Sequence, residues 1–143
     1  MSAFNKFNQF VEDVAHKVHD LETDTLKLLL TNTLPVAANA IRGDLTELGA
    51  GNGYTSGGAT LTVGSSGQTA GVYKLVITDA APAFTASGGS IGPFQYAVLY
   101  NDTPAGPVDP LIGWYDYGSA LTLLDGETLD ADFDDSGGVI TIT

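Results

Sequence analysis

Apolar residues in the first twenty positions fall at Phe4, Phe7, Phe10, Val11, Val14, Val18 and Leu21, the three-and-four spacing of one helical stripe. Asn8, Gln9, Glu12, Asp13, Lys17 and Asp20 cover the opposite side. The pattern predicts an amphipathic helix over residues 2–21, about four turns long, with Ser2 as its N-cap. Such a stripe has to dock, either on the chain's own sheet or on a partner subunit.

After Thr23 the period becomes that of strands. Thr25–Thr31 (TLKLLLT), Ala59–Ser65, Gly71–Thr78, Pro93–Tyr100, Leu111–Tyr117, Ala120–Leu124, Glu127–Phe133 and Val139–Thr143 are short apolar or alternating runs, about eight candidate strands. Gly-, Ser-, Pro- and Asn-rich turns separate them, such as Gly51-Asn52-Gly53 and Ser87-Gly88-Gly89-Ser90. No second helix alternates with the strands. The fold class expected is mainly β, an antiparallel β-sandwich of jelly-roll type: one domain over 1–143, with its body at 24–143. The segment Pro35–Gly53 is the least regular, with a helical turn expected at Asp44–Leu48.

Composition narrows what this scaffold can do. The 143 residues hold no cysteine, two histidines, five basic residues and seventeen acidic ones, a formal net charge of −12. Nucleic-acid affinity comes largely from Lys and Arg displacing counterions, so a phosphate partner is not expected. Acidic lipid headgroups would also repel the chain. No run of about 18 apolar residues offers a membrane span, and the N-terminus lacks an uninterrupted apolar leader core. Without thiols there is no disulfide, thiol nucleophile or zinc-thiolate site.

The candidate chemistry is correspondingly thin. Asp130, Asp132 and Asp134 alternate with Leu129, Ala131 and Phe133, which makes one acidic strand face. Clustered carboxylates suit calcium, but Phe133 separates two of them, Asp135 stands where the sharp-turn glycine of a calcium loop belongs, and no closing glutamate follows. A solvated face that discourages edge-to-edge pairing is the plainer reading. His16 and His19 could share a helix face as a metal pair, with no third or fourth ligand evident. There is no Gly-x-Ser-x-Gly elbow, and both histidines lie in the terminal helix, which argues against acyl transfer. The glycine-rich Gly49–Gly58 leads into a strand rather than a helix and lacks a phosphate-loop lysine. It reads as turn chemistry, with Tyr54 pinning the loop to the body. Phe94, Tyr96, Val98 and Tyr100 should share one strand face, and Tyr115 and Tyr117 should lie opposite Trp114. These aromatics are core, interface or a sugar platform. Three prolines stiffen the intervening Asn101–Pro110 loop into a preshaped contact.

Together, the Phe-Asn-Lys-Phe-Asn-Gln-Phe-Val-Glu-Asp start, Thr25–Asn32, Asp44–Leu48, Gly53–Gly58, Gly92–Asp102 and Leu111–Gly118 resemble a family of small tailed-bacteriophage virion proteins across nearly the whole chain. The resemblance implies a structural, non-catalytic protein, a decoration or cement protein on the capsid exterior, made in the host cytoplasm. Its partner would be the major capsid protein, with no cofactor. Shell symmetry makes a homotrimer the natural occupant, with a dimer at two-fold positions next. Contact residues expected on this reading are Phe4, Phe7 and Phe10, together with Tyr54 and the loop around Pro104 and Pro107. The alternative is a tail or fibre component whose aromatic loops bind glycans. A cell-wall hydrolase would need a cleft of carboxylates with raised pKa.

Overall fold

A computed structural model describes residues 3–143. The chain is mainly β, with 49% of residues in strands and 8% helical. Among the described residues ten strands occur: β1 (Phe4–Lys6), β2 (Leu26–Thr31), β3 (Ala59–Thr60), β4 (Thr62–Thr69), β5 (Val72–Thr78), β6 (Ala80–Thr85), β7 (Ile91–Asn101), β8 (Leu111–Leu123), β9 (Thr128–Ala131) and β10 (Ile140–Ile142). They form three antiparallel sheets, ordered β1-β8-β7-β2-β3, β10-β5-β4 and β6-β9, and none closes into a barrel. The main core draws on all three: Leu28, Leu99 and Tyr115 from the first, Leu75 and Ile77 from the second, Phe84 and Ala131 from the third. Phe7, Leu29, Val98, Tyr100 and Leu111 form a smaller second cluster, against which Leu45 and Trp114 pack.

The pleat explains this division on β2. Leu26, Leu28 and Leu30 join the main core, while Leu29 joins the second cluster. On β7 a register irregularity between Phe94 and Tyr96 interrupts the alternation. Phe94 therefore joins Ala97 and Leu99 in the main core instead of sharing a face with Val98 and Tyr100 as the period-two pattern predicts. On β8 the expected division holds: Tyr115 and Tyr117 pack on the main core and Trp114 on the second cluster.

The N-terminal helix is shorter than its stripe predicts. Only Asn8–Ala15 is helical (α1), and Ser2, the expected cap, lies outside the described residues. Ahead of α1, Phe4, Asn5 and Lys6 pair with Tyr115, Trp114 and Gly113 of β8. Gly113 has no side chain to obstruct the Phe4 ring, which also meets Tyr115 at 5.3 Å between centroids. This long-range pairing outweighs the local helical period. At the other end, Val18 N donates to Asp13 O and Lys17 N to Val14 O, with Lys17 at φ 64°. That is a Schellman stop, here on a lysine where sequence would suggest glycine. His16 is the C-cap and His19 lies beyond it, so the two do not share a helix face.

Three further expectations change. The runs Leu111–Tyr117 and Ala120–Leu124 are one thirteen-residue strand. Ala80–Thr85 is a strand despite Pro82. The helical turn falls at Arg42–Asp44, just before the position predicted.

Candidate functional site

The least regular part of the sequence carries the densest polar chemistry. From Leu45 to Leu61 the chain runs along the outer edge of β2. Leu48 N donates to Leu30 O (3.1 Å), Leu30 N donates to the Tyr54 hydroxyl (3.1 Å), β3 pairs with Lys27 and Leu28, and Leu61 N donates to Leu26 O (2.9 Å). Gly58 makes this approach possible. Its φ is 81°, and a Cβ there would overlap the Leu28 carbonyl.

Glu47 organises the segment. Oε1 accepts from Arg42 Nε (3.0 Å) and Nη2 (2.7 Å), and Oε2 accepts from the Tyr54 hydroxyl (2.7 Å) and Gly57 N (2.6 Å). Arg42 also donates to Ser56 Oγ (2.9 Å) and Asp109 Oδ2 (3.4 Å), and its guanidinium lies 5.8 Å from the Tyr100 ring centroid. The Tyr100 hydroxyl donates to Gly57 O at 2.6 Å. Burial, reinforced by the Glu47 carboxylate, pushes the Tyr54 phenol well above its ordinary range, and burial does the same to Tyr100. Both stay protonated donors. Burial and neighbouring Asp102 raise Asp109, while its bond to Arg42 opposes them.

The same network holds the proline loop. Asn101 N donates to Pro110 O, closing the loop's base, and Arg42 N donates to Asp109 O. Asp102 N donates to Thr25 O, Thr25 N to Thr103 Oγ1 (2.8 Å), and Ala105 and Val108 form a bridge at the tip. Pro104 and Pro107 are half-buried. Val108 is 58% exposed, at the rim of a groove of about 360 Å³ shared with Ile41, Arg42, Leu45 and Asp109.

A second polar cluster joins the α1 end to β7. His19 Nδ1 accepts from Asn101 Nδ2 at 3.0 Å, and Asn101 Nδ2 also donates to Asp24 Oδ2 at 2.7 Å. This assigns the neutral, Nε2-protonated tautomer to His19. Burial lowers the imidazole pKa, although Asp13 and Asp24 pull it upward. Asp13 is buried and accepts from Gln9 Nε2 at 3.2 Å.

The expected contact residues separate into two groups. Phe7, Phe10 and Tyr54 are buried in the chain's own core and leave no side-chain surface for a partner. Phe4 is half-buried against Tyr115. Only the region around Pro104 and Pro107 lies in an accessible loop. The aromatic residues offer no open platform, since every ring among the described residues is buried or half-buried. Asp130, Asp132 and Asp134 are exposed, alternating with buried Ala131 and Phe133, but β9 ends at Ala131, so only Asp130 lies on a strand and the expected acidic strand face over all three does not form. Asp132 and Asp134 border a cavity of about 420 Å³ with Phe4, Tyr115 and Phe133, and Asp130 is not in its wall. Among the described residues no group of three or more His, Asp or Glu side chains is placed to hold a metal ion. No helix among them is long and apolar enough to cross a membrane.

The Glu47 network escapes sequence reasoning because Arg42, Glu47, Tyr54 and Gly57 lie in one irregular segment with no period to read, and Tyr100 and Asp109 reach it from far along the chain. The one available signal was an Arg and a Glu inside a glycine-rich, otherwise weakly charged segment. Compared with family models, curated proteins and solved structures, the chain matches none.

Proposed function

We propose that this chain is a structural, non-catalytic virion protein of a tailed bacteriophage, bound to the capsid exterior as a decoration protein with the major capsid protein as its partner. The body is a sandwich-like stack of the five-stranded sheet on the two smaller sheets. The observation that carries the reading is the use of Arg42, Glu47 and Asp109. The charged groups best placed for chemistry are tied to backbone, tyrosine and each other, and they fix a proline loop that holds exposed Val108 beside a groove walled by Ile41 and Leu45 together with those tied charges. A loop ordered before contact loses little entropy on binding, which favours tight seating on a repeating surface. Binding is then the activity.

The test is the copy number of the chain in purified particles, measured by quantitative mass spectrometry against the major shell protein. A simple lattice fraction supports decoration. A handful of copies moves the chain to the tail or portal vertex, and absence overturns the virion reading. In a particle-pelleting assay, Val108→Asp should weaken binding while leaving the fold intact.

A further inference from the structure

The sheets end in several edges, and most are blunted. β1, β3 and β10 are three residues long or shorter, β6 contains Pro82, and β9 carries outward-facing Asp130. Proline, charge and shortness are the usual protections against unwanted strand pairing. The outer edge of β2 is covered by the Leu45–Leu61 segment.

β4 has none of these protections. It is eight residues long, ends its sheet in the order β10-β5-β4, and reads TVGSSGQT with neither charge nor proline. Its outer side makes no backbone hydrogen bond to any described residue. The irregularity between Val63 and Ser65 lies near one end, so Ser65–Thr69 runs in continuous register with Val72–Val76. This is an accessible ladder of unused donors and acceptors.

Charge indicates what it meets. Between Glu47 and Asp79 the chain has no acidic residue, although it carries seventeen elsewhere, and Lys74 is the only charge in that interval. Two copies of net charge −12 repel each other over most of their surfaces. They can approach along β4 itself, which carries no carboxylate, with Asp20, Glu22 and Asp24 set back across the groove they share with Ser66, and a two-fold contact requires this most, because it sets each patch against its own copy. We infer that β4 is a self-association edge, along which two copies of this chain pair antiparallel about a two-fold axis centred on Gly67. In that register Gly67 meets its twin, Ser66 meets Gln68, and Ser65 meets Thr69, with no charge opposed to charge. The two three-stranded sheets become one. Lys74 is turned to its own chain, with Nζ donating to Ser136 O at 3.1 Å. Pairing β4 head-to-tail with β10, as a cyclic trimer would need in this sheet, is limited to the three residues of β10. The inference stands independently of the particle reading.

The test uses the full chain. Sedimentation velocity over a concentration series should show a monomer–dimer equilibrium. Gly67 has ordinary φ and open space where a Cβ would stand, so Gly67→Glu and Gly67→Lys should both fold, as checked by circular dichroism. Each variant alone should raise the dimer Kd by roughly tenfold or more, because like charges then oppose each other. An equimolar mixture of the two should regain dimer. In the unaltered protein, hydrogen exchange at Ser65–Thr69 should slow as concentration rises, a readout that needs no substitution. A chain that stays monomeric at every concentration, a trimeric mass, single variants that dimerise like the original, or a mixture that fails to recover would each overturn the proposal.

Discussion

The outer side of β2, beyond which lies only two-residue β3, and the outer edge of β4 belong to two antiparallel sheets of the same chain, and they are treated in opposite ways. Along β2 the backbone groups are met by Leu48, the Tyr54 hydroxyl, β3 and Leu61, and the covering segment is fastened by the four hydrogen bonds that converge on Glu47. Along β4 the ladder is unmet and the charge is withdrawn instead. Closing an edge requires an ordered excursion, a glycine at the close approach and a carboxylate to hold the turn. Leaving an edge usable requires only the removal of what repels the next strand. The difference teaches that the acidic residues are distributed by task, present where a segment must be tied or an edge blunted, and missing where contact is to be made.

Breaking the closed side should have the largest effect. Glu47→Ala removes the acceptor that Arg42, Tyr54 and Gly57 share, and leaves a half-buried guanidinium with only Asp109, at 3.4 Å, as its carboxylate. A loss of about 2–4 kcal/mol is expected in urea denaturation, well above what an exposed ion pair contributes. Tyr54→Phe keeps the ring and removes only the hydroxyl that joins Leu30 to Glu47, so roughly 1–2 kcal/mol should be lost. The pH dependence should be smaller. The folded chain favours neutral His19, so the unfolded chain takes up a proton first as pH falls. Stability is therefore complete above about pH 6.5, the unfolded imidazole value, and declines below it towards the lower folded pKa. Thermal melts between pH 5 and 7 should show this decline, and His19→Asn should flatten it. Gly67→Glu on the open side should change the stability of the monomer least, by within about 0.5 kcal/mol, since a Cβ there meets nothing and the carboxylate's cross-strand neighbour, Lys74, makes at most a surface ion pair. A large loss there would mean that β4 is not open.

Period-two patterning revealed β5, most of β7 and β8, and the outward placement of Asp130 on β9, because a strand with one buried face writes its pleat into the sequence. The prediction that Tyr54 pins its glycine-rich loop also matches the structure, with the ring beside Phe84 at 5.6 Å and the hydroxyl in the β2 edge. The errors arose where a distant partner decides. Phe4–Lys6 continues a helical stripe but finds an antiparallel partner in β8, and Phe7 and Phe10 proved to be core because the second cluster and the α1 end need rings of that size. A local break in register reverses a face, as at Phe94, and leaves almost no sequence signal. The Arg42–Glu47–Asp109 arrangement depends on the fold bringing the proline loop beside the excursion, which no local pattern encodes.

The convergence on one carboxylate also sets how the excursion can open. Arg42, Tyr54 and Gly57 do not hold separate latches, since each keeps its own contact with the body but all three are tied to the same Glu47 carboxylate. Fraying at any one point weakens the grip of the rest, so the stretch from Arg42 to Gly58 should detach as a single cooperative unit. A protease would meet it either shut or wholly released, and its glycines, which look like ready cleavage points in sequence, should be nicked only as fast as that whole unit lifts away.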